Sequence, residues 1–237
     1  MNAFDLLGFG EKGWGPLLLQ ATAMTLAVTV TAFLFGAVFG AIVARGKLSN
    51  SWLARTTGDV YTTVLRGVPD LLVIYLLYFG GSQALSMTYQ WLTGEKGFIG
   101  INAFFTGALA VGVVSGAYQA EVFRGAYMAI PRGELEAARS VGMSGWTMFR
   151  RIVAPQVLRF AIPGLGNVWQ LALKESALIS VTGLTELLRQ SQVASGSTRQ
   201  PFVFYTAAAA LYLLLTTIST RAFDTAERTA MRGVRRA

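Results

Sequence analysis

Four stretches of this chain, residues 13–44, 71–94, 97–120 and 200–220, contain no Asp, Glu, Lys or Arg. A helix needs about 20 mostly apolar residues to cross the hydrocarbon core of a bilayer, and each of the four is long enough. Only 14% of the 237 residues are charged, against about 25% in a typical soluble domain. These runs predict an all-α membrane protein with several helical spans.

The polar remainder is distributed unevenly. Of twenty Lys and Arg, fifteen fall on the side of the 130–153 segment and the carboxy-terminal tail. The opposite side or the spans hold only Lys12, Lys96, Lys174, Arg189 and Arg199. Basic residues mark the cytoplasmic side of membrane proteins, so the amino terminus is expected outside, the carboxy terminus in the cytoplasm, and five spans between them. This pattern accounts for the net charge of +8 as topology plus attraction to anionic lipid, and argues against nucleic acid as a target.

The spans are expected at about 14–44, 61–85, 103–129, 157–178 and 201–220, within one transmembrane domain covering 1–237. Pro69 is expected to kink the second near its start, and Pro163, Gly164 and Gly166 interrupt the fourth. The stretches 86–102 and 190–200 are expected to be outer loops. The opening residues lack a basic region before a short apolar core, so the first span is expected to be retained rather than cleaved.

The chain has no cysteine and no histidine. That removes thiolate nucleophiles, imidazole bases, disulfides and the common transition-metal ligand sets. No G-x-x-x-x-G-K-[ST] loop is present to hold nucleotide phosphates.

Between the third and fourth spans lies "PRGELEAARSVGMSGWTMFRRIVAP", residues 131–155. Pro131 with early acids suits a helix start. Gly142 can close the helix in the left-handed region, and Ser144 can cap a second one. The segment reads as two short helices, either resting on lipid headgroups or docking into a groove of a cytoplasmic partner. Several ionisable groups sit in or beside spans, where each is a functional candidate. Asp70 is expected to pair with Arg66 one turn earlier, Glu121 with Arg124, and Glu186 with Arg189. Lys174 and Glu175 end the broken fourth span. They either contact substrate or hold that broken helix together.

"EAARSVGMSGWTMFRRIVAPQVLRFAIPGLGN", together with "RGVPDLLVIYLLYFG", "GAYQAEVFRGAYMAIPRGELEAA" and "LKESALISVTGLTEL", resembles the polar-amino-acid permeases of ATP-binding-cassette (ABC) importers. The resemblance is greatest to permease subunits for histidine, lysine, arginine and ornithine and for octopine and nopaline, and it covers about residues 16–225. It implies a type I importer permease fold in the bacterial inner membrane, with no enzymatic activity of its own. Glu136, Ala137, Ala138 and Gly142 would form a coupling helix on an ATPase. Lys174, Glu175 and Ser176, with Gln170 less directly, would contact substrate. Two ATPase subunits would hold ATP and Mg, leaving this chain without a cofactor or metal. A second permease, identical or homologous, and an external substrate-binding protein would complete the assembly around a polar, cationic amino acid or opine. The rival expectation is a stand-alone channel or secondary transporter for small polar solutes.

Overall fold

The computed structural model describes residues 3–10, 13–94 and 102–231, and every regular element among them is helical. The short α1 (Ala3–Leu7) leads into α2 (Gly15–Lys47), followed by α3 (Trp52–Gly67) and α4 (Asp70–Tyr75). A π-helical turn at Leu76–Gly80 joins α4 to α5 (Gly81–Thr93). After α6 (Ala103–Met128) come α7 (Arg132–Ser140), α8 (Gly145–Met148), a second π turn at Phe149–Val153, and α9 (Ala154–Glu175). A 3-10 stretch at Ser176–Thr182 precedes α10 (Leu187–Thr198) and α11 (Pro201–Ala230).

α2 rises about 50 Å at 1.5 Å per residue, more than a bilayer core requires. Pro16 sits in its first turn, where the missing N–H costs nothing. Its inward stripe, Leu18, Ala21, Thr25, Val28, Ala32, Gly36 and Gly40, is buried, while Leu34, Val38 and Ile42 face outward. Without water to drive apolar surfaces together, membrane helices associate through close packing of small residues. α2 and α6 show this directly. A Cβ on Gly36 would stand 3.1 Å from the Gly112 carbonyl oxygen, and one on Gly112 would stand 2.9 Å from that of Ala32. α6 is thereby the central helix, buried along most of its length.

The contacts also give direction. Ala32 lies by Gly112 and Gly40 by Ala120, so α2 and α6 run parallel. Trp14 meets Phe204 and Phe33 meets Phe223, so α11 runs the same way. α9 runs against them, with Gly164 on Val122 of α6 and the Ile179 just beyond its end on Gly107. Phe33, Trp169 and Phe223 join α2, α9 and α11 through edge-on and tilted rings 5.4–6.3 Å apart.

Among the described residues four helical stretches are long and apolar enough to cross a membrane: Gly15–Lys47, Asp70–Thr93, Ala103–Met128 and Pro201–Ala230. α9 spans 22 residues but carries Arg159, Lys174 and Glu175. Several boundaries differ from the expected ones. Residues 61–67 belong to α3, a separate amphipathic helix, because Pro69 drives Val68 into extended backbone (φ −96°, ψ 138°) and the long stretch starts only at Asp70. Residues 86–93 continue that stretch, and 95–101, with Lys96, lie outside the described residues, as do Lys12 and Arg232, Arg235 and Arg236. The expected outer loop at 190–200 is largely helical, because Glu186 caps α10. α11 runs ten residues past the expected end of the last span, to Ala230.

Candidate functional site

The segment after α6 is built by local chemistry. α7 begins behind Pro131 and ends where Gly142 takes φ +75°. The Met143 amide donates to the Ala138 carbonyl (3.1 Å) and the Gly142 amide to that of Arg139 (3.0 Å), the paired bonds of a Schellman closure. Ser144 then caps α8, accepting from the Thr147 amide. Ala138 is buried, whereas Glu136, Ala137 and Gly142 face outward. Val141 and Trp146 are more than two-thirds exposed, and the Trp146 and Phe149 rings stack at 5.7 Å. The Gln156 Nε2 of α9 donates to the Glu134 carboxylate, tying α7 to the helix that leads back into the bundle.

At the same end of the bundle, Lys47 gathers three helices. Its ammonium, only 8% exposed, meets Asp59 at 2.9 Å, Thr62 of α3 at 2.8 Å, and the Glu121 carboxylate of α6. Arg124 takes the other Glu121 oxygen at 2.9 Å. The Glu121–Arg124 pair read from spacing is present, and Lys47 adds the partner from a distant part of the chain.

Glu175 closes α9 inside the bundle. It is 5% exposed, and no donor reaches either carboxylate oxygen. The group beside it is the Asp70 carboxyl, which opens α4 behind the Pro69 break. Tyr118 of α6 lies within electrostatic reach of both acids and of Arg66, whose guanidinium sits 5.3 Å over the Tyr118 ring. The Arg66–Asp70 pair expected from their spacing does not form. Among the described residues the ion pairs are the three around Lys47 and Arg124. The reason is again Pro69: the extended backbone between the two side chains abolishes the single-turn geometry that the pair needs.

The neighbours of Glu175 point in different directions. Lys174 is exposed on the other side of the helix. Ser176 is buried and donates to the Leu173 carbonyl at 2.7 Å. Gln170 turns to α11, its Nε2 donating to Thr220 Oγ1 (3.1 Å) and to the Thr216 carbonyl (3.4 Å). Glu186, fully buried, does not pair with the Arg189 side chain. Its carboxylate accepts from the amides of Leu188 (2.8 Å) and Arg189 (2.7 Å) and from the Tyr212 hydroxyl (3.1 Å). Thr25 of α2 completes the arrangement, accepting from the Leu187 amide at 3.0 Å. Tyr118, Tyr212 and Thr25 went unread in the sequence, since nothing in their local pattern marks them.

The expected interruption of the fourth span at Pro163, Gly164 and Gly166 does not occur: α9 stays helical from Ala154 to Glu175, since the proline removes only one backbone bond. This helix, the Glu175–Asp70 carboxyls and the α7–α8 segment can be set beside known proteins. The octopine transport system permease protein OccQ of Rhizobium radiobacter is 57% identical over 236 residues, covering 100% of this chain and 99% of that one. The histidine/lysine/arginine/ornithine transport system permease protein HisQ of Escherichia coli is 38% identical over 225 residues, covering 95% and 98%. Among solved structures, an amino acid ABC transporter crystallised with histidines matches with a TM-score of 0.76 at 32% identity, covering 91% of this chain and 95% of that one. An inward-facing MetNI methionine ABC transporter shares the fold with a TM-score of 0.75 at 20% identity, covering 94% and 100%. These relatives are transporter subunits, membrane components without catalysis of their own, and the E-A-A segment fits their family. The family model described as "Binding-protein-dependent transport system inner membrane component" matches residues 36–230, and the chain belongs to that family.

Proposed function

We propose that this chain is the permease subunit of an ABC importer for cationic amino acids or opines in the bacterial inner membrane, with its main substrate contact at Glu175. The observation that carries the reading is the buried Glu175 carboxylate, which has no donor and faces a second carboxyl, Asp70. Buried carboxylates are costly unless a proton or cation meets them. A guanidinium or ammonium entering between α4 and α9 supplies the missing donors. The names of the octopine, nopaline and histidine/lysine/arginine/ornithine relatives support that class of cargo. Ser176 and Gln170 shape the helix end that presents Glu175, and Lys174 faces outward from the same end.

In this reading the chain makes five crossings, α9 being the fifth, with the amino terminus outside and the carboxy terminus cytoplasmic. The parallel run of α2, α6 and α11 against α9 supports it. So does the placement of Arg45, Lys47, Arg150, Arg151, Arg221 and Arg228 towards the end of the bundle that carries α7 and α8. Two cytoplasmic ATPases, holding ATP and Mg, dock on the segment of Glu136, Ala137, Ala138 and Gly142. A second permease, identical or homologous, completes the pathway, and a substrate-binding protein delivers cargo from outside.

The test is ATP-driven uptake of arginine and octopine by the purified complex in proteoliposomes. Glu175→Gln is expected to lower uptake at least about tenfold, the scale of one charge-assisted contact. In parallel, Glu136→Arg with Gly142→Leu is expected to lose the ATPase from a mild-detergent pull-down. Full uptake by Glu175→Gln would remove the substrate assignment, and an ATPase retained by the double variant would remove the docking assignment.

A further inference from the structure

The acidic pair accounts for the cationic end of a substrate and leaves Arg66 unexplained. This arginine lies in the last turn of α3, and it is exposed. Among the described residues it makes no ion pair, although Asp70 follows it by four positions. What holds it is the Tyr118 ring, 5.3 Å below the guanidinium carbon. Stacking on a ring face fixes a guanidinium in place while its N–H donors, which lie in the plane of the group, stay free. Tyr118 is therefore within electrostatic reach of both an oriented guanidinium that makes no ion pair among the described residues and the Asp70 and Glu175 carboxyls. The free N–H donors of Arg66 can take a ligand carboxylate in a two-bond fork.

Resting on the substrate site proposed above, we infer that Arg66, held by the Tyr118 ring, is the specificity residue that reads the substrate's carboxylate. The site then selects a molecule with a cation at one end and a carboxylate at the other. It discriminates against a cation of the same length that lacks the carboxylate. Because guanidinium engages carboxylate through two parallel N–H bonds, an opine, which carries a second carboxylate, is accepted at the same fork.

The experiment uses the assembled transporter in nanodiscs without its binding protein, with radiolabelled arginine as the probe. Unlabelled agmatine, which is arginine without its carboxylate, and octopine compete. The unmodified complex is expected to prefer arginine over agmatine by about 10- to 100-fold. Arg66→Gln is expected to weaken arginine and octopine by that factor and to leave agmatine within about threefold, collapsing the preference. Arg66→Lys keeps the charge without the fork and is expected to recover part of it. Tyr118→Leu removes the ring that holds the guanidinium and should behave like Arg66→Gln.

Glu175→Gln separates the two ideas, because it is expected to weaken arginine and agmatine together. If Glu175→Gln weakens both ligands but Arg66→Gln leaves the arginine preference intact, the carboxylate role of Arg66 is wrong and the substrate site stands. If Glu175→Gln changes neither ligand, or the unmodified complex binds neither, the site itself is wrong and the inference falls with it. Equal losses of arginine and agmatine in Arg66→Gln, repeated in Arg66→Lys, would also overturn it, since they would mark Arg66 as a structural residue.

Discussion

A Cβ on Gly40 would stand 3.0 Å from the backbone nitrogen of Ala120, so α2 and α6 meet backbone to backbone. Nothing can yield at that distance except the helices themselves. Gly112→Ala is therefore expected to destabilise the purified protein by about 1–3 kcal/mol, the usual cost of overpacking. Gly125, on the same helix, has no atom within 4 Å of an added Cβ. Gly125→Ala should be neutral or stabilising by up to about 1 kcal/mol through helix propensity. Thermal melting in one detergent, read on both variants, decides it; equal effects would refute the glycine seam.

Glu186 offers a second contrast. Its carboxylate serves backbone amides and Tyr212, not the Arg189 side chain. Glu186→Leu leaves those buried donors orphaned and should cost about 1–3 kcal/mol. Arg189→Ala should stay within about 0.5 kcal/mol of the parent, as exposed substitutions usually do. Matching losses in the two variants would restore the ion pair suggested by their spacing.

Gly142 closes α7 at φ +75°. Gly142→Asn should retain most ATP-driven uptake, since asparagine tolerates the left-handed region, while Gly142→Val should lose most of it. The measurement is uptake per amount of this chain, with the co-purifying ATPase quantified alongside. Equal uptake by the two variants would show that the backbone turn does not matter to docking.

Lys47 is buried against partners of unequal burial, Asp59 being 65% exposed and Glu121 22%. Asp59→Ala is accordingly expected to cost less than about 1 kcal/mol. Lys47→Met leaves Glu121 with Arg124 alone and should cost about 1–3 kcal/mol, less than the removal of one partner from a fully buried pair. Denaturation midpoints compared between the two variants provide the check. A larger loss from Asp59→Ala would reverse the ranking.

Much of the fold is readable from the uncharged runs, because α2, α6 and α11 need length and apolar character above all. The boundaries at Pro69 and Glu186 are not, for opposite reasons. At Pro69 the clue was visible, but hydropathy continues across 61–85 and conceals that α3 and α4 are separate rods. At Glu186 the stretch after it looks like a polar loop, and only the carboxylate over the first amides of α10 makes it helical. The site divides in the same way. Glu175 could be singled out because an acid at the end of a span is costly wherever it lies. Its companions Asp70, Tyr118 and Arg66 come from other helices, and no spacing along the chain reports that α4, α6 and α9 converge. The expected Arg66–Asp70 pair failed because helical spacing was carried across a residue that ends the helix.

The bond between Gln156 and Glu134 joins α7 to the first turn of α9, and Glu175 is the last residue of that same helix. Twenty-two residues of α-helix make a strut about 33 Å long, with one soft point at Pro163, where the bond to the Arg159 carbonyl is missing. The two places proposed for partner and substrate are thus the two ends of one rod. An axial push delivered at Gln156 arrives at the buried carboxylate without crossing a loop.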